Sequence, residues 1–291
     1  MTDLPRRRFL TLAAAAIAAP ARASEPVVWI GRALGADARI ILEGAGARQA
    51  ERVFGRVEAE LLLIESQFSL HTDSALVRLN RDGRLGWPSA EIVDLFDLSG
   101  RVHRATGGVF DPTIQPLWIA TATGGDTGAA RALTGWEKVR ISDTEIRLEP
   151  GMALTFNGIA QGAAADRIAT LLRAEGFGDV LIDMGEVMAL GNRAGRPWRA
   201  AVADPEGAEI GRVDLVGRAL ATSSPMGTRI GAGMGHILHP QLKPAQWSTV
   251  AVSAADAATA DALSTAFCLM SLDDIGSVLV EFPGAMIEFL I

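Results

Sequence analysis

Residues 154–205, LTFNGIAQGAAADRIATLLRAEGFGDVLIDMGEVMALGNRAGRPWRAAVADP, hold the signals that decide the fold. After a loop at Asn157 and Gly158, Ala164, Ile168, Leu171 and Leu172 recur at helical spacing, and Gly176 and Gly178 stop the helix. The run from Val180 to Met184 reads as a buried strand. Gly185 breaks it, Val187 to Leu190 resumes it, and a polar turn from Gly191 to Pro197 leads into another strand at Trp198 to Ala203. A glycine loop feeding a helix beside a sheet is a place where backbone N–H groups can meet an anion.

Working outward, the N-terminus does not read as part of the fold. Arg6-Arg7-Arg8-Phe9-Leu10 precedes an apolar run from Thr11 to Ala19, and Ala21-Arg22-Ala23 offers a small-residue cleavage site before Ser24. The run is too short to span a bilayer. Residues 1–23 are therefore expected to be a signal peptide of twin-arginine type, with residues 24–291 forming one domain that is exported folded, to the periplasm. Losing the segment's four arginines and one aspartate takes the formal charge from −7 to −10, and so acidic a chain argues against a nucleic-acid partner. The only cysteine, Cys268, lies among Phe267, Leu269 and Met270 and reads as core, so no intrachain disulfide can form.

Val27 to Ile30 and Ala38 to Leu42 read as a pair of strands around Gly31 and Gly35. A helix follows, with Ala50, Val53, Phe54, Val57, Leu61, Ile64 and Phe68 on one stripe. Pro88 to Arg104 reads as a second amphipathic helix, capped by Ser89. Trp136 to Glu149 reads as a hairpin around Ser142-Asp143-Thr144, Trp247 to Val252 as a strand, and Asp256 to Met270 as a helix. On that last helix Asp261 and Thr265 are four apart, which sets a carboxylate and a hydroxyl on one face. On spacing alone the carboxylate is either a metal ligand or a solvent-facing group favoured near a helix N-terminus. The cluster Gly231-Ala232-Gly233-Met234-Gly235 before His236 reads either as a phosphate cradle or as a tight hairpin.

The wording of these segments carries more than their periodicity. GIAQGAAADR followed by VLIDMGEV and GRPW resembles the central block of the FAD:protein FMN transferases, the ApbE-type flavin transferases. Further blocks follow in the family's order. Ala33-Leu34-Gly35-Ala36 stands where the family has Met-Gly-Thr, and Ser69 to Asn80 resembles its Phe-Ser-x-Tyr-x-x-x-Ser segment. Gly108-Val109-Phe110-Asp111-Pro112-Thr113 resembles G-x-F-D-x-T, and Ala260 to Ala266 resembles the metal-binding block. His236-Ile237-Leu238-His239-Pro240 resembles His-x-x-Asp-Pro, with His239 in the place of the aspartate.

The resemblance implies an α+β single domain of mixed sheets packed with several helices. It implies that FAD is held by Leu34, His71, Val109, Phe110, Asp111, Thr155, Gln161 and Ile237, and Mg²⁺ by Gly158, Asp261 and Thr265. Mg²⁺ takes oxygen ligands and keeps places for phosphate oxygens, which suits one carboxylate, one hydroxyl and one backbone carbonyl. His236 becomes the general base that takes the proton of an acceptor hydroxyl. The chain has no tyrosine, and His71 occupies the position of the family's tyrosine; it reads equally as an exposed loop histidine. Gln161 replaces a lysine often found in the glycine loop, and Thr155 an acid. The expected reaction is FMN transfer from FAD to a Thr or Ser of an exported acceptor protein, releasing AMP. FAD hydrolysis to FMN and AMP, and FAD binding without cleavage, are the alternatives.

Overall fold

The computed structural model describes residues 25–291, so the expected signal peptide lies outside the described residues. Strands β1 (Val27–Ala33) and β2 (Ala36–Leu42) pair antiparallel. The chain reverses at Leu34 and Gly35, with φ of 49° and 83°, while Gly31 stays within the strand. Two successive positive φ values make the tight turn whose twist matches that of the strands. Leu34 adopts this conformation without glycine's freedom, and the Glu65 carboxylate accepts its N–H at 3.1 Å.

Helix α1 (Ala47–Phe68) buries the stripe expected of it, with Phe54 only partly covered. Helix α2 (Ala75–Asp82) follows, capped by the Ser74 hydroxyl, then the short β3 (Arg84–Gly86) and α3 (Ala90–Ala105), capped by Ser89. Helices α4 (Gln115–Thr123) and α5 (Thr127–Ala132) come next. The hairpin expected over Trp136 to Glu149 is narrower: β4 (Arg140–Ile141) pairs with β5 (Glu145–Arg147). Trp136 lies outside it in a 3-10 turn, because its indole packs on the Phe96 ring, 5.6 Å between centroids.

Helix α6 (Ala160–Ala174) leads to β6 (Val180–Asp183) and β7 (Val187–Leu190). At Gly185, with φ of 93°, the chain reverses, so the second apolar run is an antiparallel neighbour of the first. A long hairpin, β8 (Trp198–Ala203) and β9 (Glu209–Leu215), precedes β10 (Ala219–Ser223) and the two-residue strands β11 (Arg229–Ile230) and β12 (Met234–Gly235). The chain ends with β13 (Val250–Ala254), α7 (Ala257–Phe267), α8 (Leu272–Glu281) and β14 (Met286–Leu290). The strand expected at Trp247 starts three residues later. Trp247 N–H donates instead to the Cys268 carbonyl and its indole to that of Met270, closing the end of α7.

The architecture is α+β. Seven strands form the main sheet in the order β1-β2-β6-β7-β10-β13-β14, and each ladder is antiparallel. Helices α1, α6 and α7 cover one face, packing on Ile40, Leu42, Ile182 and Val252. The β8–β9 hairpin covers the other, with Trp198, Val202 and Leu215 against Ile41, Leu181, Leu220 and Ala251. Both sides of the central strands are buried, which is why β6 reads as a continuous apolar run and not as an alternation.

Candidate active site

A cavity of about 880 Å³ opens at the end of the sheet where β6 turns into β7, near the upper end of the range of about 300–1,000 Å³ for organic-ligand sites. One wall is the crossing of α6 and α7. Gly162 makes that crossing close: a Cβ there would lie 2.2 Å from the Ala257 carbonyl oxygen. Asp166, one turn further along α6, accepts the Ala257 and Ala258 N–H groups at 2.8 and 2.9 Å, so each helix is tied to the other's start. Burial pushes its carboxyl up to about 7, opposed by these two bonds.

Two of the three expected metal ligands, Gly158 and Thr265, come together in the lining of the cavity, and Asp261 lies behind them on α7, outside the lining. Gly158 and Thr265 both line the cavity, and a Cβ on Gly158 would touch the Thr265 hydroxyl at 3.0 Å. Asp261 lies one helical turn from Thr265, buried to 2% exposure, with Oδ2 accepting the Gly162 N–H at 3.2 Å. The solvent-facing reading of Asp261 is thereby excluded; Asp256 caps α7 instead. No group of three or more His, Cys, Asp or Glu side chains forms a metal cluster among the described residues. The set here is carboxylate, hydroxyl and carbonyl, all oxygen, and that chemistry fits a hard cation such as Mg²⁺.

The same cavity is lined by His236, half-buried, just after β12. Its Nδ1 lies 3.0 Å from the Pro225 carbonyl oxygen. A carbonyl only accepts, so Nδ1 carries the hydrogen and Nε2 is the basic nitrogen. The backbone is held as firmly: His236 N–H donates to the Pro225 carbonyl at 2.9 Å, and Trp118 Nε1 donates to the His236 carbonyl at 3.1 Å. The glycine cluster is a tight hairpin. Cβ atoms would lie 2.1 Å from the Thr121 oxygen at Gly231 and 2.6 Å from the Pro225 oxygen at Gly235, so small residues let this ribbon press onto α4 and the Pro225 turn. His239 is buried, does not line the cavity, and its Nδ1 accepts the Gln241 N–H at 3.0 Å. Burial, helped by Lys243, holds its pKa below the usual histidine value.

The residues expected to hold FAD gather here as well. His71, Val109, Phe110, Asp111, Thr155, Gln161 and Ile237 line the cavity, and Leu34 lines a small adjoining recess with His71 and Gln161. His71 is exposed at the rim, so both readings of it describe the same residue. Asp111 is buried and also starts a 3-10 turn, its Oδ1 accepting the Thr113 N–H and hydroxyl at 2.9 and 2.6 Å. Burial raises its pKa against those two bonds. Gln161 Nε2 donates to the Met184 carbonyl at 3.1 Å, which fixes the side chain over Gly185. Thr155 is tied to the 3-10 turn that Asp111 starts, its N–H donating to the Pro112 carbonyl at 2.8 Å.

The wall is acidic. Asp37, Asp111 and Asp183 line it against Arg39, the one residue of fixed positive charge among the described lining residues. A diphosphate in such surroundings calls for a compensating cation.

The sequence model of the ApbE family matches residues 34–287. The chain belongs to the ApbE family. Among its relatives, the FAD:protein FMN transferase of Klebsiella pneumoniae is 30% identical over 247 residues, covering 75% of this chain and 70% of that protein. The Escherichia coli K12 protein of the same name is 26% identical over 284 residues, covering 87% and 80%. Among solved structures, the ApbE protein of Thermotoga maritima superposes with a TM-score of 0.78 at 26% identity, over 90% of this chain and 93% of that one. The apo flavinyl transferase ApbE of Pseudomonas stutzeri gives 0.77 at 26%, over 90% of each chain.

Within this ApbE chain, several lining residues escaped the sequence reading. Arg39 faces Asp183 across the β2–β6 ladder, and its Nε is buried without a hydrogen-bond partner, a donor in the cavity wall that suits a ligand oxygen. Asp183 sits at the end of a strand read only as core; burial, opposed by the Gly185 N–H and Arg39, raises its carboxyl to about 6. A lone arginine in a short strand gives no periodic signal, so neither residue was visible without the ladder. Trp118 belongs to the same group, through its bond to His236.

Proposed function

We propose that this chain transfers the FMN half of FAD to a threonine or serine hydroxyl of an acceptor protein, in a Mg²⁺-dependent reaction that releases AMP. Membership of the ApbE family and the shared name of its relatives carry the coarse statement, an enzyme of flavin transfer with FAD and an acceptor protein as partners. The finer statement rests above all on one observation. His236, its hydrogen fixed on Nδ1 by Pro225, shares a cavity with the Gly158–Thr265 contact, one helical turn along α7 from Asp261.

In this reading the acceptor oxygen forms a bond to the FMN phosphorus, and the bond from that phosphorus to the AMP oxygen breaks. His236 Nε2 takes the hydroxyl proton, and AMP leaves with the bridging oxygen. Gly158, Asp261 and Thr265 would hold the metal, which when bound supplies charge neutralisation at the diphosphate. Arg39 adds a fixed positive charge, and Phe110, Val109 and Ile237 offer apolar surface to the flavin ring. The same reading has the chain exported through Arg6-Arg7 and acting on an exported acceptor; replacing both arginines by lysine is expected to retain it in the cytoplasm, and normal export of that variant contradicts the route. No helix among the described residues is long and apolar enough to cross a membrane.

The test of the chemistry is His236→Ala. FAD affinity by flavin-fluorescence titration is expected to hold, while labelling of an acceptor threonine falls by about 10²- to 10⁴-fold, the contribution of a positioned general base. A collapse of affinity with a normal rate at saturating FAD would make His236 a binding residue.

A further inference from the structure

The Thr265 hydroxyl ends a buried row of oxygens. Thr265 Oγ1 lies 3.4 Å from Ser223 Oγ, and Ser223 Oγ lies 2.8 Å from Ser264 Oγ. Ser264 Oγ in turn donates to the Asp261 carbonyl at 3.0 Å. Ser223 and Ser264 are 1% and 0% exposed, so within this row the protein itself decides where each hydrogen points.

The end of the row sets its direction. The Asp261 carbonyl can only accept, so the single Ser264 hydrogen goes to it, and Ser264 Oγ accepts from Ser223. Having given its hydrogen to Ser264, Ser223 can meet Thr265 only as an acceptor. The Thr265 hydrogen is thereby turned back into the protein and its lone pairs face the cavity. A helical threonine has a competing choice, donation to the carbonyl four residues back with a different rotamer. For Thr265 that carbonyl belongs to Asp261, and Ser264 already takes it. Ser223 is itself fixed, at the end of β10 in the ladder to β13, with its carbonyl accepting Cys268 Sγ at 3.4 Å.

We propose that Ser223 is a positioning residue, which orders the Thr265 hydroxyl as an acceptor toward a divalent cation. The inference rests on the metal reading given above and extends it to a residue outside the ligand set.

The experiment measures binding and not turnover. Mn²⁺, which shares the preference for oxygen ligands, is titrated into the full chain in the presence of FAD, with free Mn²⁺ read by electron paramagnetic resonance. Ser223→Ala is expected to weaken Mn²⁺ binding by about 10- to 100-fold, the usual cost of losing an outer partner of a metal ligand, with the melting temperature and the FAD affinity in EDTA unchanged. Combined with Thr265→Val it is expected to add nothing to the loss from Thr265→Val alone. Ser264→Ala, one link further away, frees Ser223 to donate to Thr265, is expected to give a smaller loss, and serves as the second variant should Ser223→Ala fold poorly. Wild-type Mn²⁺ affinity in both variants, or full additivity with Thr265→Val, overturns the assignment. Absence of FAD-dependent Mn²⁺ binding in the wild type overturns the metal reading and this inference with it.

Discussion

The α6–α7 crossing beside the cavity and the β11–β12 ribbon hold their polar groups by opposite means. At the α6–α7 crossing, Gly162, Asp166 and Asp261 are locked between two buried helices, and each polar contact there also holds the fold together. On the ribbon, His236 follows a hairpin of two-residue strands whose tip is exposed, positioned by bonds to Pro225, Thr228 and Trp118. The proposed metal ligand Asp261 thus sits between packed helices, while the proposed base His236 sits on a short ribbon held by contacts to Pro225, Thr228 and Trp118. A substitution at the crossing should damage fold and site together; one on the ribbon should separate them.

Gly162→Ala is expected to have the largest effect. The new Cβ would meet backbone at 2.2 Å, so the helices must part, at a cost of about 1–3 kcal/mol or more and with loss of FAD binding. Gly55→Ala is the control: Gly55 lies exposed inside α1 with nothing within 4 Å, and the change should stabilise by up to about 1 kcal/mol. Thermal denaturation of both variants checks the contrast.

Asp261→Asn follows. The amide oxygen can still accept the Gly162 N–H, so the fold should survive while Mg²⁺-dependent AMP release is lost. Asp261→Ala is a poorer probe, because leaving that buried N–H unpaired costs about 1–3 kcal/mol. Unchanged AMP release in the asparagine variant would assign Asp261 to packing alone.

How much of this was legible follows the same division. Helix α6 and β6 stood out because buried helices and strands impose periodicity, whereas the spacing of Asp261 and Thr265 left their role open, and they and His236 were singled out only by the resemblance to the family's motifs. The clamps were invisible: nothing in the chain says that Asp166 reaches α7, that Trp118 holds the His236 carbonyl, or that Arg39 and Asp183 share a rung. Those contacts are long-range, and sequence spacing encodes only neighbours. The short strands failed for a related reason. Trp247 and Trp136 look like strand residues, yet an indole that finds a carbonyl or a ring elsewhere takes its backbone out of the ladder.

A smaller effect sharpens the electrostatics. Asp183 has its folded pKa raised to about 6 from 3.8, so protonation favours the folded state. That stabilisation is complete below about pH 4 and is lost as the pH rises through 6. Asp183→Asn retains an acceptor for the Gly185 N–H but does not titrate. Its melting temperature relative to the wild type should therefore climb between about pH 4 and pH 7 and then level off; a constant difference would show that Asp183 does not titrate in this range.

The smallest expected changes are at Gln161 and Thr155. Gln161→Lys and Thr155→Asp should each tighten FAD modestly, within about tenfold, in a fluorescence titration. No change in either would mean that the Gln161–Met184 bond already does what the family's lysine does.

The central claim, transfer of FMN to a protein hydroxyl, is tested most directly by incubating the purified chain with FAD, Mg²⁺ and an acceptor protein, reading covalent flavin by in-gel fluorescence and AMP in the same reaction. The account predicts both products in equal amounts, with EDTA abolishing both. AMP and FMN formed equally well without acceptor would make the protein a pyrophosphatase, and bound but uncleaved FAD would make it a carrier; either result contradicts the account.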